Sequence, residues 1–350
     1  MEPLLKRYTV KDVRNWLLHN SNIYGLSGRI ISKCRAYAII NNPYVEDIDP
    51  VVSAIFEADE VAAYTAAFPD MLNGKRIWWF TTLWCNPKFR GKGYGMVVVG
   101  SLAELYGEGN YFDMDGAEET VSIFKYLGLK TTYIPQYEFG PGKIHRHSFK
   151  GKLAYAVQNL KLKYSSHKKD LLKEISKTDY SIEYFSYIDD EAYAFIVSKS
   201  QMDVFLREQQ MLNWILAFPF LQESPLTNRV EKDCQFSSTV SKVRIIAEKI
   251  RKNGKLVGVC ILKIGINSVD VKYLYYDKEQ SDIVFLSVAE YLSRFHNPTF
   301  ITRDLNLANY VRRYNLTSKY RESKVSFSYP DNFAFHEGLG SQAGDGDNFA

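Results

Sequence analysis

The feature that most constrains this chain is the run Arg90-Gly91-Lys92-Gly93-Tyr94-Gly95, set between an aromatic apolar segment and a helix-patterned one. The segment before it, 77–85, reads Ile-Trp-Trp-Phe-Thr-Thr-Leu-Trp-Cys and is stopped by Asn86-Pro87, which predicts a strand. Residues 96–106 predict a helix broken by Gly107. A glycine-dense link between strand and helix folds tightly and lets a ligand approach the backbone without meeting a Cβ. Its N–H groups and the helix N-terminus then form an anion-binding nest, with Arg90 and Lys92 at the rim. A sharp strand-to-helix turn alone would explain the glycines equally well. The spacing is neither a Walker loop nor a dinucleotide fingerprint, because the glycines alternate and no Gly-Lys-Ser/Thr follows.

Around this loop the pattern predicts helices at 9–20 and 30–40, a hairpin of 51–56 with 61–68, a strand at 111–115, a helix at 118–127, and strands at 131–139 and 144–149. Thr9 is the expected N-cap of the first helix. The second half predicts one or two helices over 201–218, a hairpin of 243–250 with 256–263 through Asn253-Gly254, a strand at 269–276, a helix at 282–295, a strand at 299–301 and a helix at 305–314. Hairpin, strand, helix, strand, helix recurs in the same order in both halves, which predicts a tandem repeat. The expected divisions are 1–150, a basic bridging helix at 151–175, a second unit at 176–337, and a flexible acidic, glycine-rich tail at 338–350.

The segment 83–95, with Arg90, Gly93 and Gly95 on the positions of an Arg/Gln-x-x-Gly-x-Gly/Ala signature, resembles the GNAT superfamily of N-acyltransferases. Ile123-Phe124-Lys125-Tyr126-Leu127-Gly128-Leu129 resembles that family's second signature. The resemblance covers roughly 9–149, and the second half fits by element order alone. It implies a mixed α/β, α+β fold in two copies, each a twisted, largely antiparallel sheet flanked by helices, with a degenerate second copy. It also implies acetyl-CoA as co-substrate, held by Arg90, Gly91, Lys92, Gly93, Tyr94 and Gly95, its pantetheine arm pairing with Leu83 and Cys85. An amine would attack the thioester directly, with no covalent enzyme intermediate.

Two departures bear on chemistry. The signature tyrosine that protonates the departing thiolate in many members is here Phe124, and Tyr126 lies about 200° away around the helix. No general base stands out. Asp113 and Asp115, two apart on a short strand, are expected to share a face near the acyl end, with helix capping as the competing role. His145 and His147 also share a strand face, and Glu57 and Glu60 flank a turn as solvated carboxylates. Cys85 reads as a packed thiol rather than a nucleophile. In the second half the corresponding loop, Tyr276-Asp277-Lys278-Glu279-Gln280-Ser281-Asp282, has no glycine and three acids, so it would repel a pyrophosphate.

The acceptor expected is a small amine or amino-sugar. The tail, through Asp345 or Asp347, is a candidate to attract it. The alternatives are a CoA-binding pseudoenzyme or regulatory module and a FemABX-like aminoacyl transferase. A net charge of +4 argues against a nucleic-acid partner. Cys34, Cys85, Cys234 and Cys260 form no CxxC pair, so neither a metal nor a disulfide scaffold is expected. No apolar run of spanning length is present, and a cytoplasmic protein without a membrane partner is expected, with homodimerisation open.

Overall fold

The computed structural model describes residues 2–18, 31–57, 60–140, 166–201, 203–219, 221–222, 238–239, 243–295, 297–317, 319–333, 335 and 340–346. The expected strand at 144–149 with His145 and His147, the 151–165 part of the bridge, Cys234 and Asp347 lie outside the described residues.

The first half runs β1 (Leu4–Thr9), α1 (Val10–Leu18), α2 (Lys33–Ile40), β2 (Pro50–Glu57), β3 (Glu60–Leu72), β4 (Lys75–Cys85), α3 (Tyr94–Tyr106), β5 (Tyr111–Met114), α4 (Glu118–Tyr126) and β6 (Lys130–Gly140). The second runs α5 (Ser166–Lys177), β7 (Ser181–Phe185), α6 (Asp190–Lys199), α7 (Gln209–Ala217), β8 (Leu221–Gln222), β9 (Ser238–Thr239), β10 (Val243–Lys252), β11 (Lys255–Gly265), β12 (Ser268–Tyr276), α8 (Ser281–Ser293), β13 (Thr299–Thr302), α9 (Leu305–Arg313) and β14 (Lys319–Tyr329). The repeat of element order is present. Thr9 caps α1 as expected: its Oγ1 accepts the Asp12 N–H at 3.2 Å and Asp12 Oδ2 accepts the Thr9 N–H at 2.8 Å.

What the pattern did not disclose is how the halves join. Among the described residues 12 strands form one sheet in the order β1-β2-β3-β4-β5-β14-β6-β13-β12-β11-β10-β7. With β7 matched to β1, β10 to β2 and so on to β14 with β6, this order is a palindrome. Its centre is an exchange. The last strand of each half lies beside the other half's penultimate strand, β14 against β5 and β6 against β13, and the two pair along Lys319↔Gly140 to Tyr329↔Lys130. Each half therefore closes the sheet edge that the other would leave open.

Rings from both halves pack behind this seam. Trp79 and Phe112 of the first half meet Phe205 and Phe327 of the second, with Trp79–Phe205 centroids 4.9 Å apart and Phe112–Phe327 stacked at 6.2 Å. Each fully buried ring of this kind contributes roughly 1.5–3 kcal/mol. Trp78 and Phe80, alternating with Trp79, face the other side and pack on Tyr106 of α3, with Phe80 also against Phe124 of α4.

The tail differs from its expectation. Ser341, Ala343 and Asp345 are buried, and Gly340–Gly346 is bonded to the body of the protein. Asp345 accepts from Ser341 Oγ and Gln342 N and stands 3.9 Å from Arg207, so this carboxylate faces the interior and cannot draw an amine from solution.

Candidate active site

β4 and β5 pair in parallel only at Trp78↔Tyr111 and Trp79↔Phe112, then diverge. The opening between them continues past the Gly93 end of α3 and is closed by α4, giving a cleft of about 1010 Å³. Leu83, Cys85, Arg90, Gly91, Gly93, Tyr94, Gly95, Asp113, Asp115 and Phe124 all line it. The structure thus brings together every expected donor-site residue except Lys92, and with them Asp113 and Asp115.

Within β4 the ladder to β3 slips. Ala66 faces Thr81 and Tyr64 faces Trp84, so Thr82 and Leu83 together oppose Thr65. Thr82 adopts φ +53°, an uncommon conformation for a β-branched residue, and its buried Oγ1 has no hydrogen-bond partner among the described residues. A bulge of this kind leaves backbone groups outside the ladder and re-aims them, here inside the cleft.

After β4, Asn86 donates its N–H to the Ala62 carbonyl and caps a short turn at Pro87–Phe89. The loop then needs two left-handed residues, Gly91 at φ +83° and Gly93 at φ +77°. A Cβ at either would meet nothing within 4 Å, so the space over both is open. Gly93 is the N-cap of α3, and no side chain caps this helix. Backbone donors at an uncapped N-terminus, under open space and beside Arg90, suit an anionic ligand such as a pyrophosphate.

The flanking side chains are held differently from expectation. Lys92 Nζ sits 2.6 Å from Glu57 Oε1, and the Tyr94 hydroxyl donates to Glu57 Oε2. Lys92 first and then Tyr94 keep the Glu57 carboxyl below the usual carboxylate range. Glu57, expected as a solvated turn residue, instead ties the loop to the β2–β3 hairpin. Glu60 pairs with Lys88 at 3.1 Å in an exposed bridge. Cys85 is half-buried, and burial pushes its thiol up against the opposing pull of Arg90 and the Gly95 N–H, which favours the packed thiol.

At the other wall, Asp113 is buried in β5 opposite Ser328. The expectation that Asp113 and Asp115 share a strand face is corrected. β5 ends at Met114, and Asp115 turns to φ +63° while its N–H donates to the Ser326 carbonyl, so alternation stops before it. Both still border the cleft, Asp113 buried and Asp115 exposed. Phe124 is buried, while Tyr126 is 74% exposed on the far side of α4 and cannot reach the cleft in its place.

Sequence reading missed Arg35. It is buried at the first turn of α2, lines the cleft, and donates from Nη1 to Thr81 Oγ1 at 2.9 Å. The Ser32 cap that starts α2 by accepting the Arg35 N–H was the one local signal for it.

In the second half, β12 and β13 also part after three parallel pairs, the last being Asp270↔Ile301. The short turn Lys278–Gln280 runs straight into α8 at Ser281, whereas four residues, Arg90 to Gly93, separate Phe89 from α3. The anion loop is therefore missing outright there, in addition to the unfavourable charge.

No family model and no curated protein matches the chain. Solved structures do. A conserved Enterococcus faecalis V583 protein of unknown function, described as an N-acyltransferase, superposes with TM-score 0.51 at 11% identity, covering 94% of this chain and 72% of that one. A Pyrococcus horikoshii protein described as an acetyltransferase superposes with TM-score 0.50 at 8% identity, covering 96% and 92%. A tandem GNAT protein from the clavulanic acid pathway aligns over 95% of this chain and 100% of its own, with TM-score 0.47 and 13% identity. The chain has the GNAT fold, as a mixed α+β tandem.

Proposed function

We propose that this protein is an acyl-CoA-dependent N-acyltransferase working from its first half, with acetyl-CoA as donor and a small amine or amino-sugar as acceptor. One observation carries the reading: the parted ends of β4 and β5 open directly onto an uncapped helix N-terminus whose two left-handed glycines leave clear space above the backbone. Arg90 and the amides of Gly91, Gly93 and Tyr94 would hold the pyrophosphate, the Lys92 and Gly95 amides being turned to Phe89 and Cys85, and the bulged edge at Leu83 and Cys85 would take the pantetheine arm. A backbone N–H at the bulge would polarise the thioester carbonyl.

The acceptor nitrogen then attacks the carbonyl carbon. The C–N bond forms, the C–S bond breaks with its electron pair on the CoA sulfur, and the nitrogen gives up a proton. Asp113, a buried carboxylate bordering the cleft, would receive that proton directly or through water, and Asp115 at the rim would attract the ammonium form. Phe124 supplies no proton to the leaving thiolate, which departs as such or takes one from water. That ring also favours a second reading, a CoA-binding module without turnover. Among the described residues no helix is long and apolar enough to cross a membrane.

Two assays decide. Acetyl-CoA at 100 times its dissociation constant should stabilise the fold by about 2.7 kcal/mol, and no rise in melting temperature would sink both readings. Thiol release against a panel of amines separates enzyme from module. Within it, Asp113→Asn should lower kcat at least ~100-fold if Asp113 is the base. An unchanged kcat removes it from that role.

A further inference from the structure

We infer that the parted-strand groove of the second half is a peptide site, filled in cis by the chain's own segment 340–346, which sits there as a turn closed by the Asp345 N–H on the Gln342 carbonyl. The comparison with the donor arm rests on the reading above, whereas the groove and its occupant do not.

The two grooves superpose by register. Asp270 ends the parallel pairing of β12 as Trp79 ends that of β4, and Asp277 donates to the Val257 carbonyl as Asn86 does to Ala62. Leu274 therefore stands where Leu83 stands, and Tyr276 where Cys85 stands. β12 also carries a bulge, one residue earlier than that of β4, since Ile261 faces Tyr273 and Leu262 faces Val271, leaving Lys272 over. Past Asp270 the β13 side of β12 has lost its strand partner.

Segment 340–346 takes those groups. The Gly344 N–H donates to the Lys272 carbonyl at 2.8 Å, and the Leu274 N–H donates to Gln342 Oε1 at 3.1 Å. The Tyr273 hydroxyl donates to the Gly344 carbonyl at 2.7 Å. Arg303, the first residue after β13, closes the other side, with Nη1 donating to the Gln342 carbonyl at 2.8 Å and to Ser341 Oγ at 2.9 Å. Position 344 must be glycine, because a Cβ there would lie 2.2 Å from the Tyr273 ring. At the far end the Gly346 carbonyl accepts from Arg207, and a Cβ added at Gly346 would lie 2.9 Å from the Met114 Cβ at the tip of β5. The turn thus occupies the place in its groove that the donor arm would occupy in the first, and it lies behind Met114, which lines the first cleft. The main-chain bond to Lys272 and the side-chain bonds of Tyr273 and Arg303 to the segment's carbonyls give affinity, and the glycine and glutamine positions give selectivity.

Amide hydrogen exchange on the full chain tests this. In the wild type the Gly344 and Leu274 amides should exchange at least ~100-fold slower than exposed amides. Full-length Gly344→Leu should lose that protection at both, and a peptide of residues 339–346 added in trans should restore it at Leu274. The same peptide carrying Gly344→Leu should not. Unprotected wild-type amides, a Leu274 amide indifferent to Gly344→Leu, or a peptide that restores nothing would each overturn the inference. Should Gly344→Leu fail to fold, Gln342→Ala removes the acceptor of the Leu274 amide together with the Nε2 donor to Asp203 and should speed exchange at Leu274 by ~10-fold, and an unchanged rate overturns the inference equally. Acetyl-CoA is expected to slow exchange at Leu83 and not at Leu274. If it slows neither, the donor reading fails while the peptide site stands.

Discussion

Gly93 separates backbone strain from ligand blockade, because its φ of +77° and the empty space over it act on different observables. Gly93→Ala adds a Cβ that touches nothing, so its cost to folding is the left-handed conformation of an L-residue, ~1–2 kcal/mol. For a chain of this size that lowers the melting temperature by ~2 °C. Asparagine tolerates the left-handed region, so Gly93→Asn should regain most of that stability while still placing a side chain in the nest. Gly93→Glu adds bulk and a negative charge within a few ångströms of the proposed pyrophosphate. At an effective dielectric of about 20–40 and ~5 Å separation the repulsion is ~2–3 kcal/mol, a ~30- to ~150-fold loss of affinity. Isothermal titration with acetyl-CoA, beside thermal melts of all three variants, reads both quantities. A folded Gly93→Glu variant that binds acetyl-CoA as the wild type does would refute the loop assignment. Gly93→Asn binding at full strength would show that the space over Gly93 is not the ligand's.

Phe124→Tyr places a hydroxyl at the cleft end of α4, beside Phe80, and should raise kcat for thiol release ~10-fold or more if protonation of the thiolate limits turnover. An unchanged kcat with unchanged acetyl-CoA KM would show that bond formation limits instead. The docked tail should make stability depend on pH. Burial raises Asp203 to about 7, helped by Asp345, and raises Asp345 itself to about 6 against the pull of Arg207 and Arg303. Carboxyls raised on folding stabilise below their unfolded value near 3.8 and lose that contribution as pH climbs through the folded value. Urea unfolding should thus show stability falling between about pH 4 and 7. Asp203→Asn, which keeps a partner for Gln342, should flatten that fall, with ~4 kcal/mol as the upper limit, and an unaltered slope would remove Asp203 as its source.

The sequence by itself determined what is local. Gly91 and Gly93 are needed because the turn between Phe89 and α3 passes twice through the left-handed region, and that demand shows in three alternating glycines. Trp78, Trp79 and Phe80 alternate because successive strand residues face opposite layers. The repeat of hairpin, strand and helix was legible for the same reason, since each element has its own period and its own stops. Asp115 was misread because a strand end is set by where pairing ceases, and pairing depends on Ser326 two hundred residues away.

Tertiary structure alone decided the rest. The exchange of β6 and β14 rests on main-chain ladder bonds, which any apolar strand of similar length could make. No residue type therefore marks it. Glu57 holding Lys92 and Tyr94, Arg35 on Thr81, and Asp345 beside Arg207 are each contacts between distant segments that looked like ordinary surface charges or turns. The tail shows the limit most clearly. A glycine-rich acidic segment cannot bury a core of its own, so composition predicts flexibility. It is ordered here because β12 and β13 part and leave backbone groups that a turn with glycine at 344 reaches.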